Sequence, residues 1–128
     1  MDLVITEKVN VGSESKSVQN TFSQTDENTR YVTAAVAAAQ SDKLVNWSCD
    51  QSQLKALYIV SDQDVTLETN NSATPDDTIA LKADIPYIWY TDKYDACLIT
   101  VDVTKIYITN AGGSTANLII ASQEDATP

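Results

Sequence analysis

Histidine is absent from the 128 residues. That removes the commonest general base, the commonest zinc ligand and the usual switch near neutral pH. Cysteine occurs twice, at Cys49 and Cys97, far apart and outside any CxxC pair. Basic residues are scarce: eight Lys and Arg stand against eighteen Asp and Glu, a net charge of -10. Phosphate backbones and anionic lipid surfaces are both held by clustered Lys and Arg, so no nucleic acid and no membrane is expected as a partner. No apolar run approaches the ~20 residues that a bilayer-spanning helix needs. The opening MDLVITEKV lacks the charged and then apolar shape of a secretory leader, so both thiols are expected to be reduced and buried. No GxSxG is present, and no histidine stands ready to activate a Ser, Thr or Cys nucleophile. The expectation is a chain with no catalytic residue, no metal site and no cofactor.

What remains has an ordinary globular composition, 43% hydrophobic and 20% charged, in a length that suits one domain with one core. Leu3, Ile5, Val9 and Val11 face one way along the first stretch, broken only by Glu7; this predicts a strand, or an arm that pairs with something. Residues 12–30 are polar, with only Val18 and Phe22 to bury, and fit a loop, an arm or a ragged strand. In YVTAAVAAA, residues 31–39, the alanines favour helix. The β-branched and aromatic residues favour strand, and the missing polar face of a helix weighs on that side.

From Leu44 onward, apolar and polar residues alternate in short runs. Val45, Trp47 and Cys49 share a face, and Leu54 to Val60 forms the next run. Val65 to Thr69 and Ile79 to Ala83 follow, with NNSATPDD as a turn between them. IPYIWY opens on Pro86, a position where a missing N–H is tolerated. Ile99, Val101 and Val103 suggest a further strand. TKIYIT and ANLIIA flank NAGGS, where Asn110, Gly112 and Gly113 suit the positive φ of a hairpin. The tail SQEDATP is expected to fray. Eight or nine strands at spacings near ten residues indicate an all-β fold, an antiparallel β-sandwich or barrel. The expected division is an N-terminal strand or arm with a polar loop over 1–30 and the sandwich over 31–128, as one domain.

Three groupings invite chemistry. Asp62, Asp64 and Glu68, with Asp76–Asp77 and Asp92–Asp95, offer carboxylates for sugar hydrolysis or calcium. Their positions on an outward strand face and in turns read as solvated surface, and SDQDVTLE lacks the central glycine and closing spacing of an EF-hand. Tyr87 with Trp89, or Tyr90 with Tyr94 and Tyr107, would make a carbohydrate platform if they shared a solvated face; tryptophans in strands are more often core anchors. Cys49 and Cys97 alternate with strand residues, as buried core thiols do.

The phrases LYIVSDQDVTLETN, PDDTIALKA, PYIWYTDKY, DVTKIYITNAGG and STANLIIASQEDAT, from Leu57 to Thr127, resemble small tailed-bacteriophage virion proteins of the capsid cement or decoration type. The resemblance spans roughly the C-terminal 55% of the chain. It implies a β-sandwich, of jelly-roll type, that assembles as a homotrimer. It also implies a non-enzymatic structural role: binding the major capsid protein on the outer face of the shell after synthesis in the host cytoplasm. Acidity suits an outer surface away from a packaged anionic genome. A tail- or fibre-associated virion module and a carbohydrate-binding sandwich are the alternatives. Donated strands extend a partner's sheet through main-chain bonds, so Leu3, Ile5, Val9 and Val11 are the candidate partner-binding residues.

Overall fold

The computed structural model describes residues 3–11, 16–24 and 28–125, with side chains for 3–8 and 28–125. Among them lie ten strands. They are β1 (Leu3–Val11), β2 (Lys16–Gln24), β3 (Asn28–Val36), β4 (Gln40–Val45), β5 (Leu54–Ser61), β6 (Val65–Thr69), β7 (Thr78–Leu81), β8 (Tyr87–Tyr90), β9 (Ile106–Asn110) and β10 (Ala116–Glu124). A 3₁₀ turn, Gln51–Gln53, is started by the Asp50 side chain, which accepts from the Ser52 N–H. The protein is all-β.

β1 and β2 pair with each other as an antiparallel ribbon, Ile5 opposite Phe22 and Val9 opposite Val18. The other eight strands form two antiparallel sheets, ordered β3-β10-β5-β8 and β4-β9-β6-β7. Only the β6–β7 link stays within one sheet. Every other connection from β3 onward crosses between sheets. Eight strands wound in this way are a jelly-roll β-sandwich.

The core lies between the sheets, on the inward positions of alternating strands. Leu57 and Ile59 of β5, Leu67 of β6, Ile106 and Ile108 of β9, and Leu118 and Ile120 of β10 are all fully buried. Each contributes about 1.5–3 kcal/mol of transfer free energy. Trp47 joins them at 1% exposed, and its indole N–H donates to Ser122 Oγ at 3.1 Å.

Residues 31–36 are strand, since β3 runs on to Val36 before the chain turns. The sandwich begins with β3 at Asn28, slightly ahead of the expected boundary at residue 31. The polar stretch contributes a strand of its own, β2. Several sequence expectations need correction. The run through Cys49 leaves its ladder at Val45; Trp47 and Cys49 stay buried, but Cys49 makes only an isolated bridge with Val103. Ile99 to Val103 is not a strand. Ile99 and Val103 are buried but Val101 is exposed, and the backbone nearby bonds to side chains. Thr100 N–H donates to Asp77 and Thr104 N–H to Asn70.

NAGGS is not a hairpin either, because β9 and β10 belong to different sheets. None of Asn110, Gly112 and Gly113 has a left-handed φ; Ala39, Asp42, Asn70 and Asp84 do. Instead the buried Asn110 amide ties the crossing together, donating to Val36 O at 3.1 Å, Ala37 O at 3.2 Å and Ser114 O at 2.8 Å. Finally, Ser122, Gln123 and Glu124 do not fray. They extend β10 between β3 and β5 and are buried, and Gln123 Nε2 donates to Thr29 Oγ1 at 3.2 Å. Glu124 accepts from the Asp50 N–H at 3.0 Å and lies 3.8 Å from Arg30.

Candidate functional site

The sheet β3-β10-β5-β8 has two apolar faces. One is the core. The other is set by strand alternation: Thr29, Tyr31, Thr33 and Ala35 on β3, then Asn117, Ile119, Ala121 and Gln123 on β10. Across the register stand Ala56, Tyr58 and Val60 on β5, with Ile88 and Tyr90 on β8. None of these side chains is charged, in a chain of net charge -10. The outward face of the other sheet carries Glu68 on β6 and Asp42 on β4.

β1 lies against part of this uncharged face. Ile5 is 6% exposed and packs with Ala56 and Tyr90, and Leu3 and Ile88 sit beside them half-buried. Glu7, which interrupts the apolar pattern of β1, meets the same strand through polar atoms. Tyr90 donates its hydroxyl to Glu7 Oε1 at 2.8 Å, and Lys93 Nζ sits 3.2 Å from the same oxygen. Lys93 also donates to Ile88 O and stands over the Tyr90 ring. The Tyr90 hydrogen bond, aided by Lys93, holds the Glu7 carboxyl below its ordinary value of 4.5. Beside β1 a groove of about 600 Å³ remains, with Val4, Tyr31, Tyr58 and Ile119 among its walls. Val4 and Tyr31 are more than half exposed.

Of the four predicted partner-binding residues, Ile5 and Leu3 are thus turned toward this chain's own sheet. Val9 and Val11 lie on β1, with side chains outside the described residues. The other residues of the groove carry a signal in the sequence. LYIV in β5 and LIIA in β10 are apolar at consecutive positions, the mark of strands covered on both faces.

The groups that could do chemistry are dispersed and engaged. Asp62 accepts from the backbone and side chain of Asn117, which lowers its carboxyl below 3.8. Asp64 accepts from Ala83 N–H, Asp76 from Asn70, and Asp77 from Thr100. Among the described residues no group of three or more Cys, Asp or Glu is placed to hold a metal ion. Burial pushes the Cys49 thiol up to about 12, with Glu124 adding to it, and raises Cys97 as well. Both thiols are free. Tyr87 and Trp89 pack toward the core, Tyr90 lies under β1, and Tyr107 is on the opposite sheet. Tyr87 and Trp89 share a face, the core-facing side of β8, whereas Tyr90 and Tyr107 do not.

No helix among the described residues is long and apolar enough to cross a membrane. No family model matches the chain, and no curated protein matches it. Solved structures with similarity to it include two at low identity. One is the Schizosaccharomyces pombe Cnp3 cupin domain, with a TM-score of 0.43 and 12% identity over 95% of this chain and 84% of that one. The other belongs to the Bacillus endospore appendages, described as a family of disulfide-linked pili. Its TM-score is 0.40, with 12% identity over 78% of this chain and 90% of that one.

Proposed function

We propose that this chain is a non-catalytic structural protein that docks on a protein shell. We take that shell to be a viral capsid, on the resemblance of the phrases from Leu57 to Thr127. The observation that carries the reading is the uncharged outer face of the β3-β10-β5-β8 sheet with the ribbon laid against it. Apolar surface rimmed by polar residues marks protein contact sites, and a rigid sandwich supplies the scaffold that a clamp needs. A cement protein requires no reaction. The carboxylates and thiols are spent on turn bonds and core packing, which agrees with that.

Binding that favours the assembled shell raises its stability by mass action. The test is co-sedimentation of the purified chain with expanded tailed-phage heads, with thermal disruption of the heads as a second readout. The expected result is saturable binding and later disruption. A chain that ignores heads defeats the capsid reading, as does antibody labelling that finds it on the tails of intact particles.

A further inference from the structure

A jelly-roll sandwich has four edge strands, here β3 and β8 of one sheet and β4 and β7 of the other. Each edge presents unpaired N–H and C=O groups to any passing strand, and proteins blunt such edges with shortness, bulges, charge or a covering loop. Three of the four are blunted in these ways. β8 has four residues, and its Trp89 and Tyr87 side chains bind the backbone of the following loop at Asp95 O and Leu98 N–H. β7 has four residues, between Asp77 and Lys82. β4 carries Asp42 and Lys43, and its register breaks between Gln40 and Lys43, with Asp42 at φ 53°.

β3 has none of these devices. It is nine residues long, free of Pro and Gly, and in unbroken register with β10 from Val36 to Asn28. Its single charged residue, Arg30, is committed within the chain: Nη1 donates to Ser48 Oγ at 2.8 Å and Nη2 approaches Glu124. Among the described residues no strand pairs with its far side.

We propose that two copies of this chain pair antiparallel through β3, continuing the β3-β10-β5-β8 sheet from one copy into the other. Charge selects the occupant. Two chains of net charge -10 repel wherever their acidic surfaces meet, and the outward positions of β3 and the sheet behind it are uncharged. The strand also complements itself. With Thr33 on the twofold axis, Tyr31 lies opposite the partner's Ala35, a large side chain against a small one. The two threonines meet as a cross-strand pair of a favourable kind. Thr33 and Ala35 are exposed in the single chain, so both are available. An isologous contact of this kind closes at two copies. Self-pairing is independent of docking on a shell: a chain that dimerises but ignores heads loses that reading and keeps this one.

Size-exclusion chromatography with light scattering on the full chain, across a dilution series, reads the outcome. The expected mass is that of two chains. Thr33→Lys sets like charges face to face across the axis and should weaken association by about tenfold or more. Thr33→Glu should do the same alone, and an equal mixture of the two variants should recover dimers. Ala35→Lys, on the same edge, serves if Thr33→Lys does not fold; thermal melting monitors the fold of each. A wild-type monomer overturns the proposal, as does gain of mass only when a shell protein is added. So does a wild-type homotrimer, the state implied by the resemblance, because a twofold contact closes at two copies.

Discussion

Trp47 shows how one polar atom is managed in an otherwise apolar core. Its indole N–H donates to Ser122 Oγ, and both residues are buried. A buried donor stripped of its acceptor loses the bond and keeps the desolvation cost. Ser122→Ala should therefore destabilise the protein by about 1–3 kcal/mol in urea unfolding; an unchanged midpoint would show that the bond contributes nothing. Cys49 and Tyr87 make a second prediction, in alkali. Burial raises Cys49 from 9.0 to about 12 and Tyr87 from 10.0 to about 12. Each group is neutral in both states below its unfolded value. As pH rises past that value the unfolded chain loses protons that the folded chain retains, so stability falls. The decline should begin near pH 9 and continue toward pH 12, and Cys49→Ala should delay its onset, as read by thermal melting at stepped pH. Trp47 and Cys49 were legible as inward residues from their alternation. Their partners Ser122 and Glu124 were not, because they come from a tail whose polar composition resembles a frayed end.

At the scale of elements, the ribbon is fastened by one apolar peg, Ile5, and one polar latch, Glu7 with Tyr90 and Lys93. The depressed Glu7 carboxyl supports the folded contact above the ordinary value of 4.5, and that support is lost as pH falls through its lower folded value. Acidification below 4.5 should therefore loosen β1 while the sandwich persists. Hydrogen exchange at β1 amides, corrected for the intrinsic pH dependence, checks this. Glu7→Gln should abolish the pH step, and a step that survives the substitution would remove Glu7 from the account. The strands β6, β7 and β9 were readable because each buries one alternating face. β2 was harder to see: its pairing with β1 depends on backbone bonds rather than on an apolar pattern. Ile99 to Val103 had the pattern but joined no ladder: Val103 makes an isolated bridge with Cys49, and the Thr100 N–H bonds to the Asp77 side chain.

For the whole molecule, charge and apolar surface are segregated. Eighteen acidic residues repel like-charged neighbours, while one sheet face carries no charge. If that face docks on a shell, binding should depend only weakly on salt, since screening acts on exposed charges. Co-sedimentation repeated from low to high ionic strength tests this, and a steep loss of binding with salt would assign the contact to the acidic surface. By itself the sequence determined the all-β class, the positions of most strands and the inward residues, because period-2 alternation is a local property of the chain. Only the tertiary structure decided the jelly-roll order, the NAGGS crossing tied by Asn110 and the burial of the β10 tail. It alone exposed the difference between β3 and the blunted edges. Those features depend on which distant strands become neighbours, and backbone hydrogen bonds join strands without regard to side-chain identity.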